Sequence, residues 1–319
     1  MKKNAHLIGH LLAIFSALVW GTTFVSSKIL LKSYTPVELL LNRFLLGYLT
    51  LWIMRPKVLK LNHRRQELSF ALAGLSGVTL YYLFENLSLT YTQAANASVI
   101  VSTAPLFVSI FAFFFLKEKL NRQFLLGFFF AILGIILLSF GGGSTVEMNL
   151  TGDTLCLGAA LLWGIYSIVI KRIGDYGYPV ILTTRRIFFY GILFMVPIAV
   201  LSGYEPKFSQ LAKPVNLLNL LFLSIVACAL CFVSWNKAVD ILGAVKTSAY
   251  IYAIPVITLV ASILILHEKV TLMMGIGTVL TILGLVVSEQ KKPASENSGE
   301  QYSTTGSVSR NHSELSASE

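Results

Sequence analysis

The chain has 319 residues, 55% of them hydrophobic and only 13% charged, and its mean hydropathy is +0.73. That balance excludes a soluble globular domain, and long apolar runs without alternation exclude a transmembrane β-barrel, which leaves a polytopic helical membrane protein. The formal net charge of +10 raises nucleic acid as a partner, but the placement of the basic residues assigns the excess to membrane topology instead.

A helix needs about 20 apolar residues to cross the hydrocarbon core. Ten such spans are predicted, at about 8 to 30, 36 to 54, 68 to 90, 94 to 116, 121 to 140, 151 to 171, 179 to 201, 216 to 239, 244 to 266 and 270 to 288. The first follows Met1-Lys2-Lys3, a signal-peptide-like start. No A-x-A cleavage pattern follows and the apolar run exceeds an h-region, so an uncleaved helix is expected.

Span 1 carries Trp20 and Thr23, span 2 carries Arg43, and span 3 carries Tyr82, Glu85 and Asn86. A charge within a span costs several kcal/mol unless it faces a partner or a cavity. Arg43 and Glu85 fall at similar depth, roughly 7 to 11 Å below the membrane surface at 1.5 Å rise per residue, which allows an ion pair. Two readings follow: Glu85 locks Arg43 between spans 2 and 3, or Glu85 binds a cationic group or a proton. Span 3 also holds Gly74-Leu75-Ser76-Gly77, the G-x-S-G of an intramembrane serine protease. A nucleophilic serine needs a histidine in reach; His267 falls at the opposite membrane face and His10 opens span 1, so helix packing by small residues is expected.

On span 4, Ser98, Ser102, Pro105 and Ser109 share one helical face, as do Ser248, Tyr252 and Pro255 on span 9. Small hydroxyl residues also line plain packing interfaces, so Tyr252 is the stronger ligand candidate. Each proline frees a carbonyl, which suits a gate hinge and a static kink alike. Span 6 places Trp163 and Tyr166 on a face matching that of Trp20 and Thr23, as an aromatic wall or as close packing through the glycine after each Trp. Span 7 carries Arg185 and Arg186, and span 8 carries Asn236, which with Asn86 reads as polar glue. Cys156, Cys228 and Cys231 lie within spans and are expected as buried small hydrophobes rather than a disulfide framework or a zinc site. Glu118 and Glu268 close spans 4 and 9 beside lysines and read as charge pairs at the headgroups. From about Lys291 the chain turns Ser-, Glu- and Asn-rich, so a disordered cytoplasmic tail is expected.

The first half recurs faintly in the second. An offset of 143 pairs Gly9 with Gly152, Trp20-Gly21 with Trp163-Gly164, Lys28 with Lys171, Pro36 with Pro179 and Arg43 with Arg186; an offset of 150 pairs Asn86 with Asn236, Ala94 with Ala244, Ser98 with Ser248, Pro105 with Pro255, and Glu118-Lys119 with Glu268-Lys269. Glu85 falls opposite Trp235 and so has no acidic mate. Each copy holds five spans, an odd number, so the copies are expected to be inverted relative to each other, with a central site between them. With the N-terminus in the cytoplasm, only Lys28, Lys32, Lys207, Lys213 and Lys269 of the 25 Lys and Arg residues fall outside, three arginines fall within spans, and seventeen fall inside. Both termini are therefore expected in the cytoplasm.

The Trp-Gly of spans 1 and 6, the Pro of spans 4 and 9, and the Leu-Lys-Glu-Lys-Leu and Leu-His-Glu-Lys-Val that follow resemble the EamA-type transporters of the drug/metabolite transporter superfamily, over residues about 7 to 288. The resemblance implies an all-α ten-helix bundle of two inverted five-helix repeats (1–143 and 144–290, with the tail at 291–319). It further implies a central cavity between helices 1, 3, 4, 6, 8 and 9 that moves small metabolites, amino acids or xenobiotics, commonly outward. The expectation is a secondary transporter in the cytoplasmic membrane, with a small-molecule substrate and protons as a candidate coupling ion, and without nucleic acid, metal, cofactor or catalytic residues. An intramembrane protease and a non-transporting scaffold are the alternatives. The candidate substrate residues are Trp20, Thr23, Tyr82, Glu85, Asn86, Ser98, Ser102, Trp163, Tyr166, Asn236, Ser248 and Tyr252; Arg43, Arg186, Pro105 and Pro255 are candidates for gating or structure. Substrate, transport direction and oligomeric state stay open.

Overall fold

The computed structural model describes residues 2–117, 122–140, 149–206, 208–269 and 271–289, so Glu118 and the tail lie outside the described residues. Long helices run α1 (Lys2–Leu30), α2 (Pro36–Met54), α3 (Gln66–Tyr91), α4 (Ala94–Leu116), α5 (Arg122–Phe140), α6 (Leu150–Gly174), α7 (Val180–Leu201), α8 (Pro214–Leu242), α9 (Ala244–Leu266) and α10 (Leu272–Glu289). Among the described residues, α1 to α4 and α6 to α9 are long and apolar enough to cross a membrane. Their starts follow from local chemistry. Thr35 and Glu38 form a reciprocal capping box at α2 with Pro36 in the first turn, and the Asn149 side chain accepts the Gly152 N–H at α6. Gly243, at φ 89°, ends α8 and opens α9, a backbone region that favours glycine.

Without a hydrophobic force between helices in lipid, packing rests on small residues that let backbones approach. These contacts occur in exchanged pairs. A methyl on Gly21 would meet Ile257, and one on Gly164 would meet Phe107; Gly9 faces Ile241 and Leu242, while Gly152 faces Tyr91 and Thr92. Gly134 of α5 abuts Thr281 of α10, and Gly284 of α10 abuts Ala131 of α5. Each contact maps onto its counterpart through the offsets of 143 and 150. Ile53, Leu201 and Leu272, more than 80% exposed, lie on the apolar outer surface.

Among the described residues, five stretches of the helices depart from α geometry, one of them the π-helical Ser262–Leu266 that ends α9. Residues Leu75–Leu80 of α3 and Phe222–Leu230 of α8 are π-helical, and these overlap under the offset of 150. Helix α4 is interrupted at Ser102-Thr103, and α9 tightens to 3₁₀ over Ala249–Ala253. The bundle has two distinct ends. The end bearing Leu30, Thr92 and Glu268 is called the latch end; the other, bearing Arg55, Lys171 and Tyr178, is called the basic end.

Candidate functional site

Helices α1, α3, α4, α6 and α9 border a central cavity of about 20 Å³, lined by Trp20, Thr23, Phe24, Tyr81, Tyr82, Glu85, Val101, Ser102, Ala104, Trp163, Ile251 and Ile254. That volume suits a water or two, far below the few hundred cubic ångströms of a filled small-molecule site. Admitting a solute requires the wall to relax. Six sequence-predicted residues meet here: Trp20, Thr23, Tyr82, Glu85, Ser102 and Trp163. The two tryptophans pack edge to face with ring centres 5.3 Å apart, and Trp20 also sits 5.0 Å from Trp235. Trp20 Nε1 donates to the Ala227 carbonyl. The protein offers no acceptor to Trp163 Nε1 or Trp235 Nε1, and no donor to Glu85 Oε1, among the described residues. Glu85 is a 2%-exposed carboxylate on the cavity wall, a placement whose cost implies a function.

The interruptions in α4 and α9 shape this wall. Pro105 cannot donate to the Val101 carbonyl, nor Pro255 to that of Ile251 in an α pattern. Val101 and Ile251 both line the cavity, and Ser102 Oγ donates to the Ile251 carbonyl at 3.5 Å. Non-helical backbone at membrane depth is tolerated where it borders such a cavity.

Several expectations require correction. Arg43 and Glu85 form no ion pair. The fully buried Arg43 guanidinium instead lies 4.3 Å from the Tyr82 ring centre, and its Nε donates to Cys228 Sγ at 3.3 Å. Tyr252 packs with Leu106 and Ala131, away from the cavity. The reason is the 3₁₀ turn: its three residues per turn rotate Tyr252 off the face shared by Ser248 and Pro255, and Ile251 and Ile254 take its place. Ser98 and Ser248 donate to carbonyls in their own helices, as packing residues do. Asn86 donates to the Pro36 carbonyl, fixing the start of α2. The G-x-S-G needs no correction and packs as expected: Ser76 donates to Leu72 O within α3, Gly77 packs on the Tyr166 ring, and His10 bonds Tyr250. Sequence reasoning missed Tyr81, which lies one turn from Glu85 on its own face. It missed Ile251 and Ile254 for want of any signal of the 3₁₀ turn.

The ends differ. At the latch end, His267 adopts φ 54° and turns the chain so that Glu268 reaches back into the bundle. Its carboxylate accepts the N–H groups of Ala94 (2.9 Å) and Ala95 (3.2 Å) at the start of α4, and Lys28 Nζ lies 3.5 Å away. This replaces the expected headgroup pair: an acidic side chain at a helix N-terminus is held by the dipole and free N–H groups. Lys28 also donates to Thr92 O, and Asn96 links Thr92 to Asp153 of α6. At the basic end, Arg186 forks onto Glu67, which also accepts from Tyr190. Arg185 lies 3.8 Å from the Trp52 ring centre and donates to the carbonyls of Arg55 and Lys57. A cavity of about 280 Å³ opens beside Tyr178, Thr183, Asn236, Lys237 and Asp240. Between it and the centre stands one hydrogen-bonded set, in which Tyr166 O–H donates to Asn236 Oδ1 (2.7 Å) and Asn236 Nδ2 donates to Thr184 (3.0 Å).

The profile of the EamA-like transporter family matches twice, over residues 7–140 and 150–289. An uncharacterized transporter of Archaeoglobus fulgidus is 30% identical over 89% of this chain and 98% of its own. A probable terminal-alkyne amino-acid exporter of Streptantibioticus cattleyicolor is 24% identical over 87% and 92%, respectively. A solved crystal structure, 19% identical, aligns with a TM-score of 0.63 over 90% of this chain and 97% of that one.

Proposed function

The chain belongs to the EamA-like transporter family, and from that premise we propose that this multi-pass membrane protein is a secondary transporter of the cytoplasmic membrane. It exports amino acids or related small metabolites and xenobiotics by alternating access between two inverted five-helix repeats, residues 1–143 and 144–290, with both termini in the cytoplasm. The observation that carries the reading is the buried Glu85 carboxylate on the wall of a small aromatic cavity at the centre of the bundle. The exchanged glycine contacts support the inverted repeat, since a twofold relation turns each contact into its partner. The charge bias supports an orientation with the basic end in the cytoplasm. The amino-acid exporter among the relatives favours that substrate class, and the transporter names point away from an enzyme. Glu85 binds the cationic group of the solute, or the coupling proton, against the ring faces of Trp20, Tyr82 and Trp163.

The test is uptake or counterflow in proteoliposomes across a panel of amino acids and amines, with and without a proton gradient. Glu85→Gln is expected to leave a folded protein with transport lowered at least about 100-fold, or with its pH dependence lost. Normal transport with unchanged pH dependence in folded Glu85→Gln protein overturns the assignment.

A further inference from the structure

The buried arginine of α2 has a control in its own sequence. Arg186, its mate at the offset of 143, directs Nε and Nη2 onto the Glu67 carboxylate and Nη1 toward the Leu59 carbonyl. Arg43 is more deeply buried, at 0% exposure, yet the protein gives its fork no carboxylate. Only Nε has an acceptor, the weak one of Cys228 Sγ, and neither Nη1 nor Nη2 is paired. Its remaining contacts are aromatic, the Phe44 ring and, closer, the Tyr82 ring, which also borders the central cavity. Glu85, one turn along α3 from Tyr82, presents an Oε1 that is likewise unpaired. A buried guanidinium fork and a buried carboxylate, each in the other's field but not in direct contact, therefore lie beside one aromatic ring, the carboxylate with Tyr81 as its hydrogen-bond partner. That arrangement complements a molecule bearing both charges.

We propose that Arg43 is a carboxylate-recognising residue of the central site, uncovered when the Tyr82 ring turns aside, and that the solute is a zwitterion of the α-amino-acid type whose ammonium group goes to Glu85. The inference rests on the transport reading for the role of the cavity and adds the anionic half of recognition. Planar bidentate geometry suits a carboxylate, and the Arg186–Glu67 fork shows the same position of the other repeat taking one. An arginine kept solely to tie α2 to its neighbours would be expected to meet acceptors from those neighbours, as Arg186 does.

The experiment measures thermal stabilisation of the purified full-length protein in lipid nanodiscs by the standard α-amino acids and by amines lacking the carboxylate, such as L-tryptophan against tryptamine. Wild type is expected to prefer at least one α-amino acid over its matched amine by roughly 100-fold or more, since an analogue leaves the buried fork unpaired. Arg43→Gln is expected to erase that preference by weakening the amino acid and not the amine. Arg43→Lys, which keeps the charge without the fork, is expected to fall between and serves in place of Arg43→Gln if the latter does not fold. Equal affinity of wild type for amino acid and amine, no stabilisation by any α-amino acid, or an unchanged preference in the folded variant overturns the proposal. Counterflow in proteoliposomes separates the two readings: binding with the expected preference but no flux refutes transport and leaves Arg43 assigned. Flux of amines alone refutes Arg43 and leaves transport standing.

Discussion

Lys28 and Lys171 occupy the same position in the two repeats, yet they do different work at the two ends of the bundle. Lys28 leaves its own helix and joins Glu268 and the Thr92 carbonyl, so that α1, α4 and α9 are tied at one place. Lys171 stays on its helix and pairs with Asp175 four residues on, a contact that ties nothing to anything. Asn86 and Asn236 diverge in the same sense: the first fixes the start of α2 at Pro36, while the second stands between a cavity of about 280 Å³ and the centre. Equivalent residues thus take a closing role at the latch end and a looser one at the basic end. The difference between the ends lies in the partners, since Asp175, Tyr166 and Thr184 are matched by Lys32, Thr23 and Leu41 in the first copy.

That comparison can be broken at its strongest point by Glu268→Ala. The change strips the carboxylate from the Ala94 and Ala95 N–H groups and from Lys28, with an expected cost of about 2–4 kcal/mol. A cysteine introduced at Ser27 in this background is expected to react faster with a membrane-impermeant thiol reagent added from the latch side. An unchanged rate would mean that the carboxylate does not hold that end shut. Tyr166→Phe tests the seal at the basic end. It removes one hydrogen bond while keeping the ring packed on Trp163, whose centre lies 5.0 Å away, and is expected to cost about 1 kcal/mol. The informative readout is labelling of a cysteine at Thr184, which should accelerate from the basic side and not from the other. The smallest effect is expected for Asp175→Asn, which removes an exposed i,i+4 pair worth about 0.3–0.5 kcal/mol and should alter neither melting temperature nor transport measurably. A large loss there would mean that the basic end is held by Lys171 after all.

The sequence made the helices legible because their periodicity and length are set by the bilayer, and the repeat made the exchange of contacts foreseeable from glycine positions alone. Glu85 stands out in the sequence because a carboxylate at mid-span is costly without a cavity or a partner, and Trp20, Tyr82 and Trp163 line the same cavity. Tyr252 was misplaced because an unbroken 3.6-residue period was assumed through Ala249–Ala253, where the backbone tightens. The partner of Arg43 was misjudged because equal depth on two helices fixes height and leaves azimuth undetermined. Its neighbour turned out to be a ring face and a thiol. Glu268 was taken for a surface charge because helix-end acids usually are; the left-handed turn at His267 that swings it inward carries no glycine to announce it.

The widened π turns of α3 and α8 bear on how such a chain tolerates changes in length. A π turn accommodates one residue beyond the α count, and at Leu75–Leu80 it lies between the glycine contacts of Gly74 and the tyrosines and carboxylate that follow. Deleting a single residue there would return the stretch to α geometry and leave the helix spanning nearly the same height. Because the widened turn absorbs the extra residue, everything beyond would keep its face, with Glu85 still on the cavity. One codon lost at that spot would spare the scaffold and the site alike. The equivalent stretch at Phe222–Leu230 gives the second repeat the same latitude.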